Sequence, residues 1–360
     1  MNEKLLKILI YTAGAVCLYA FIAIRIPPMF NVVLQEKIIP EYWENTKYGE
    51  LYYFNFVKDF REDDLPAYSV KYRYTEKHPT LDQADIYLFG DSFLDFTRMT
   101  TFPERLGDTI NQRAFYARLD RPLQYLEEHQ YSSSEEKIIL FESAERYIPE
   151  RFSQPHLIEP APDSRSSIRQ KVASVRDFIF LDNTDVLYGT LLSRNYLTTG
   201  LYSASTTFKF NAFKYITDMT PVYTLEEETP WLFYHDQLNG EPSSFYYQHS
   251  QEEIDTYCNN IADLASKLLD QFNLKMVFMA IPSKYTIYHT VVNNDPYNDF
   301  LPRLYAGLEE RGIPYIPIYE DFMKAKDNSS EPIYYGTDTH WTKKGLDMAL
   351  ENTVKVLESL

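Results

Sequence analysis

The chain has 360 residues, enough for one large domain or two smaller ones, and its 35 Lys+Arg against 52 Asp+Glu give a formal net charge of −17. That balance repels phosphate and argues against a nucleic-acid partner. Only two cysteines occur, Cys17 and Cys258, which excludes a disulfide framework and a zinc ribbon.

From Leu5 the chain reads LLKILIYTAGAVCLYAFIAIRIPPMF, with no charge between Lys7 and Arg25. The run predicts a transmembrane helix anchoring the chain over residues 1–30, and Lys4 and Lys7 predict a cytoplasmic tip. A cleaved signal peptide lacks its small-residue site here, and Val16 before Cys17 fits a lipoprotein poorly. Residues 31–83 are polar and aromatic and read as a stalk that becomes an edge segment.

An α/β alternation begins at residue 84. Residues 84–90 read as a strand, 102–110 as a helix, 113–119 as a strand, 122–130 as a helix and 137–143 as a third, buried strand. Residues 150–249 are rich in Ser, Thr, Pro and Tyr and read as an insertion over one rim of the sheet. Regularity returns with a helix over 250–272, opened by a Ser250–Glu253 capping box; Cys258 lies on its apolar stripe as a core thiol. Strands over 274–282 and 313–319 flank a helix over 300–312, and a last helix runs from about Lys343 to Leu357. The pattern predicts an α/β fold with a doubly wound, mostly parallel sheet across residues 84–360.

Two loops carry chemistry. YLFGDSFLDF (87–96) runs a strand into Gly90-Asp91-Ser92, where a glycine permits a tight turn and a serine hydroxyl can face a cleft. Alone, the tripeptide reads as a strand-ending turn. YYGTDTHWTKKG (334–345) places Asp338 two residues before His340 in a loop before the last helix. A neutral imidazole takes a proton from a serine, and an i, i+2 carboxylate in an extended loop shares its face and fixes its tautomer. Asp91 beside Ser92, and Arg146 and Tyr147 after the third strand, are oxyanion or substrate candidates, with an ion pair from Arg146 to Glu142 or Glu145 as the plainer reading of Arg146. Lys284 and Tyr285 follow a strand end and are placed on the Ser92 rim as substrate contacts or a helix start. Trp341 either floors the pocket or belongs to the core. The remaining histidines show no metal-ligand spacing, and neither a metal nor a cofactor is expected.

Together, FGDSF, FESAERYIPERF, IPSKYTIYH and TDTHW resemble segments of the SGNH hydrolase superfamily, and more closely its membrane-anchored alginate O-acetyltransferase-like and DHHW-type branches. The resemblance implies a three-layer sandwich with Ser92 as nucleophile, His340 as general base and Asp338 as its partner. It departs from the esterases of that superfamily, which carry a glycine after the second strand and Gly-x-Asn-Asp after the third; here RLDRPL and ESAERY stand there. The expected function is extracytoplasmic O-acyl, chiefly O-acetyl, transfer to a cell-surface or exported polysaccharide. A polytopic membrane acyltransferase would supply the acyl group. An anchored carbohydrate esterase and a non-catalytic assembly component remain open alternatives.

Overall fold

The five apolar runs that alternate with helical segments assemble into one parallel sheet. The computed structural model describes residues 3–25, 48–62, 79–95, 101–119, 121–155, 199–225, 230–328 and 331–360. In chain order, α1 covers Glu3–Arg25 and the short α2 covers Tyr52–Asn55. Then follow β1 (Ile86–Phe89), α3 (Phe102–Ile110), β2 (Ala114–Ala117), α4 (Pro122–Glu128), β3 (Lys137–Ala144) and α5 (Ile148–Phe152). Next come α6 (Thr199–Phe213), β4 (Val222–Thr224), β5 (Trp231–Phe233), α7 (Gln251–Phe272) and β6 (Leu274–Ile281). The chain closes with α8 (Lys284–Val292), α9 (Phe300–Glu310), β7 (Tyr315–Ile316), α10 (Ile318–Asn328) and α11 (Lys343–Glu358).

The sheet order is β2-β1-β3-β6-β7, all parallel, with Phe89 of β1 opposite Ala117 on one side and Phe141 on the other. Successive strand residues point to opposite faces. Ile86 and Leu88 enter one core with Phe102, Leu106, Phe322 and Leu346; Tyr87 and Phe89 enter the other with Leu126, Ile261, Leu268 and Leu304. Helices α3, α10 and α11 therefore cover one face, and α4, α7 and α9 cover the other, giving three layers. Burying each Leu, Ile or Phe of this kind contributes about 1.5–3 kcal/mol.

Local signals set the helix ends. The Ser250 hydroxyl accepts from Glu253 N–H while the Glu253 carboxylate accepts from Ser250 N–H, which opens α7, and Asn273 (φ 58) closes it in the left-handed region. Cys258 is buried as expected, and burial pushes its thiol up to about 11.

Three expectations change. The strand over 313–319 shrinks to Tyr315–Ile316, because Pro317 has no N–H for the ladder, and α10 begins at the next residue, Ile318. A helix does start at Lys284, as one reading of Lys284 and Tyr285 has it, and α8 runs on to Val292, but both residues are buried and not on the surface. A helix does form over Glu3–Arg25, but among the described residues no helix is long and apolar enough to cross a membrane. Lys4, Lys7 and Arg25 bracket the run, and Tyr11, Thr12 and Gly14 interrupt it, so the transmembrane reading gains no support.

The chain divides into two compact units: Met1–Thr46 with Phe56–Lys58 and Asp163–Tyr215, and Lys47–Asn55 with Asp59–Pro162 and Ile216–Leu360. Within the first, the Ser203 and Thr206 hydroxyls of α6 both donate to the Phe56 carbonyl at 2.9 Å. The second holds the sheet and the β4–β5 hairpin. Of the stretches read as stalk and insertion, residues 31–47, 63–78, 156–198 and 226–229 lie outside the described residues.

Candidate active site

β1 ends at the carboxyl edge of the sheet between β2 and β3, where the strand order turns back on itself. Open α/β sheets form their ligand crevice at such a point. There the chain turns through Gly90, Asp91 and Ser92. A Cβ on Gly90 would collide with the buried Glu142 side chain of β3, so the close approach of the two strands requires glycine. Glu142 in turn accepts the Asp91 N–H at 2.7 Å. Burial, with the Asp91 charge second, pushes the Glu142 carboxyl well above its usual range. Gly90→Ala is expected to cost about 1–3 kcal/mol through overpacking and to shift the Ser92 turn. A chemical denaturation curve with an unchanged midpoint would contradict this.

Asp91 is a brace, not a substrate contact. One carboxylate oxygen accepts from Phe93 N–H at 3.1 Å and the other from Ala144 N–H at 3.1 Å, with Arg151 at 3.7 Å. The turn after β1 is thereby tied to the end of β3.

The second loop, residues 333–342, is folded back on itself. Tyr334 bridges Trp341, Tyr335 N–H donates to the His340 carbonyl at 3.2 Å, and Thr342 N–H donates to the Ile333 carbonyl at 2.7 Å. Asp338 Oδ1 accepts the His340 N–H at 3.1 Å and lies 2.7 Å from His340 Nδ1. His340 Nε2 lies 2.9 Å from Ser92 Oγ. The two loops, 248 residues apart in sequence, thus bring Ser92, His340 and Asp338 into one hydrogen-bonded line. Burial opposes a charged imidazole, but the Asp338 hydrogen bond and the Glu50 and Asp338 charges outweigh it, so the His340 pKa is raised.

Sequence reasoning missed what holds the His340 loop. Glu50 lies 3.8 Å from His340 Nδ1; its carboxylate takes the Thr339 hydroxyl, and its N–H donates to Asp338 Oδ2 at 3.2 Å. Gly49 (φ 87) lies so close to Thr337 that a Cβ would strike the Thr337 carbonyl. Glu62 accepts both the N–H and the hydroxyl of Thr337 at 2.8 Å, and burial raises its pKa. Nothing in YGELYY or REDD marks these carboxylates; only the left-handed Gly49 left a trace.

Lys284 and Tyr285 are fully buried and do not face substrate, because β6 runs into α8 beneath the loop and not along the rim. Lys284 Nζ donates to the carbonyls of Tyr335, Gly336 and Asp338 at 3.3, 3.0 and 2.8 Å. Burial lowers its pKa to about 7 against the opposing charges of Asp338, Glu62 and Glu50. The Tyr285 hydroxyl meets that of Tyr246 at 2.8 Å. Trp341 is core: fully buried, it stacks on Phe102 at 6.0 Å and meets Phe93 edge-on.

Arg146 and Tyr147 do reach the site. A cleft of about 220 Å³ is lined by Ser92, His340, Glu50, Arg118, Arg146 and Tyr147, among others. The Arg146 ion pair weighed from the sequence does not form among the described residues. Glu142 Oε2 accepts Asp91 N–H while its Oε1 has no partner among them, and Glu145 accepts Ser283 N–H and the Thr286 and Tyr297 hydroxyls. Instead the guanidinium sits over the Tyr147 ring at 4.6 Å, 7% exposed, with Nε and Nη1 lacking any hydrogen-bond partner. Buried cationic donors without an acceptor are costly, and a developing oxyanion is such an acceptor.

Glu50, Asp338 and His340 place donor atoms within 4.8 Å of one another, close enough to hold a metal ion. Their contacts are those of a hydrogen-bonded proton relay, in which His340 Nδ1 faces Asp338 Oδ1.

A serine hydroxyl on an imidazole that can take its proton, beside an unsatisfied guanidinium, is suited to acyl transfer through a tetrahedral intermediate. One family model matches the C-terminal part of the chain. Residues 226–360 match the SGNH hydrolase-like domain of the acetyltransferase AlgX. The match supports the alginate O-acetyltransferase-like branch of the SGNH superfamily. No curated protein matches the chain. The AlgX-like region supplies Asp338, His340, Lys284 and the β4–β5 hairpin strand β5, whose Leu232 N–H donates to the Gly336 carbonyl at 2.8 Å. Ser92 and Arg146 lie outside that region, and the parallel sheet brings them to it.

Proposed function

We propose that the protein is a serine O-acyltransferase, acting with an acetyl or similar acyl group on a glycan hydroxyl. The observation that carries this is the Ser92 Oγ–His340 Nε2 distance of 2.9 Å with Asp338 behind the ring. In the first half-reaction Ser92 Oγ attacks the donor's acyl carbonyl while His340 Nε2 takes the hydroxyl proton. Asp338, with Glu50 nearby, stabilises the imidazolium. Arg146 faces the oxyanion, worth about 2.7–4 kcal/mol for one such donor. The intermediate collapses, the donor's leaving group takes the proton from Nε2, and Ser92 is left as an ester. In the second half-reaction a sugar hydroxyl attacks that ester and gives its proton to Nε2. The Oγ–acyl bond breaks and Ser92 recovers the proton.

We place the reaction outside the cytoplasm, membrane-associated through α1, with the acyl group supplied by a polytopic membrane acyltransferase. The support is that Leu5, Ile8, Ile10, Val16 and Leu18 are exposed on α1, behind Lys4 and Lys7. Protease added to intact spheroplasts should then degrade the protein; survival until the membrane is broken would contradict this placement.

Transfer and hydrolysis share the first half-reaction and differ in the second nucleophile. A bound sugar hydroxyl reaches effective molarities of roughly 10⁵–10⁸ M and outcompetes water. Mass spectrometry of a glycan incubated with enzyme and acyl donor is expected to show added acyl groups. Deacetylation of a pre-acetylated polymer, with no acyl gained by an unmodified one, would identify an esterase instead.

A further inference from the structure

The Ser92 cleft is small, and Arg146 and Tyr147, which form part of its wall, also line a larger cleft of about 530 Å³. That size is typical of a ligand site. Its walls come from α5 (Pro149, Glu150), the segment after β5 (Asp236, Ser243) and the first turns of α7 (Glu252, Tyr257). Arg146 is the joint between the two clefts, nine-tenths buried and with Nε and Nη1 unsatisfied. The two clefts thus share Arg146 and Tyr147 as a common wall, with Ser92 on one side of it.

The charge of the larger cleft is unbalanced. Among the described residues that line it, Glu150, Asp236, Glu252 and Glu253 oppose the single cation Arg146. Two of the four are engaged: Glu253 by Ser250 and Tyr247, and Asp236 by His235. The Glu150 and Glu252 side chains are exposed and have no partner among the described residues. Exposed carboxylates accept pairs of hydroxyl hydrogen bonds, or ammonium groups, and repel other carboxylates.

We propose that this cleft holds the acceptor glycan and that the glycan lacks carboxylates, being built of neutral or amino sugars and not of uronic acids. The proposal rests on the transferase reading. A hydroxyl of the bound sugar attacks the Ser92 ester carbonyl, its proton passes to His340 Nε2, and the Oγ–acyl bond breaks. A polyuronate would bring one negative charge per sugar against four carboxylates and a chain of net charge −17, so selectivity comes from repulsion.

Ser92→Ala removes turnover, and the variant allows binding to be measured alone. Three probes of equal length serve: a β-1,4-linked N-acetylglucosamine oligomer, its de-N-acetylated form, and a β-1,4-linked uronate oligomer. Calorimetry at low salt is expected to show binding of the first two at least about ten-fold tighter than the third. The gap should narrow at high salt and in the Glu150→Gln/Glu252→Gln variant. A uronate that binds as tightly as the others, absence of binding by all three, or a gap indifferent to that double variant would overturn the proposal. In parallel, wild-type enzyme is given an acyl donor with each probe. Binding in the predicted order without acyl transfer would defeat the transferase reading and leave the cleft assignment standing. Transfer to the uronate alone would do the reverse.

Discussion

Ser92→Ala abolishes release of p-nitrophenol from p-nitrophenyl acetate, and His340→Ala is nearly as damaging, with losses of about 10⁴-fold or more. The expectation follows from the 2.9 Å contact between the two side chains, since neither the hydroxyl nor the base works without the other. The double variant should be no worse than either single one, because groups that act as a unit do not have additive losses. Asp338→Ala should retain more activity than either. Glu50 already lies 3.8 Å from His340 Nδ1 and can partly stabilise the imidazolium in its place. Adding Glu50→Gln to Asp338→Ala should remove that remainder; if it does not, Glu50 has no part in the relay.

Lys284→Met is expected to lower kcat/KM by roughly 10² without contact with substrate, the penalty of a displacement of about 1 Å in a catalytic group. The Lys284 ammonium is the only group drawing the carbonyls of Tyr335, Gly336 and Asp338 together among the described hydrogen bonds. The pH profile separates this from general damage. His340 must be neutral to act as base, and its pKa is raised, so activity climbs only as pH passes above the ordinary imidazole value of 6.5. Lys284 has a folded pKa of about 7, below its ordinary 10.5, so raising pH through 7 removes one of its three N–H donors. The sign for stability is opposite. A base whose pKa is lowered by folding costs stability while charged, so the fold does not weaken as Lys284 neutralises. His340 has the opposite sign, since its raised pKa means that its stabilising contribution is lost as pH rises above 6.5. Wild-type enzyme should therefore lose activity on the alkaline side, and Lys284 neutralisation should add nothing to any fall in melting temperature seen there. Lys284→Met should lose that alkaline limb, and a limb that persists unchanged would assign it to another group.

The parts of this molecule that follow from local periodicity were legible in the sequence. β1, β2, β3 and β6 fall where apolar β-branched and aromatic runs predict them, and α7 falls between its capping box and its left-handed Asn273. Ser92, Asp338 and His340 were legible through the GDS and DTH loops taken together with their resemblance to SGNH segments, and the structure brings the three side chains into contact. What was not legible depends on contacts between distant segments. Glu50 and Glu62 lie in a stretch without periodicity, and only the packing of Gly49 against Thr337 gives them a place in the site. Lys284 reads as a rim residue because a lysine after a strand is normally solvated. Its burial depends on β6 passing under a loop some fifty residues away, which supplies the three carbonyls it needs. Arg146 shows the converse. Its neighbours Glu142 and Glu145 suggest an ion pair, yet Glu142 Oε2 binds Asp91 N–H, Glu145 binds Ser283 N–H, and the guanidinium packs over Tyr147 at the cleft wall instead.

The most direct test of the central claim is to trap the ester on Ser92. Enzyme mixed with an activated acyl donor, quenched in acid and digested, should yield the peptide spanning Gly90–Ser92 with the mass of one acyl group added. The modified peptide should be absent from Ser92→Ala and should disappear when an acceptor glycan is added before the quench. An unmodified peptide during steady turnover, or acylation at another residue at the same rate in Ser92→Ala, would contradict a serine acyl-enzyme.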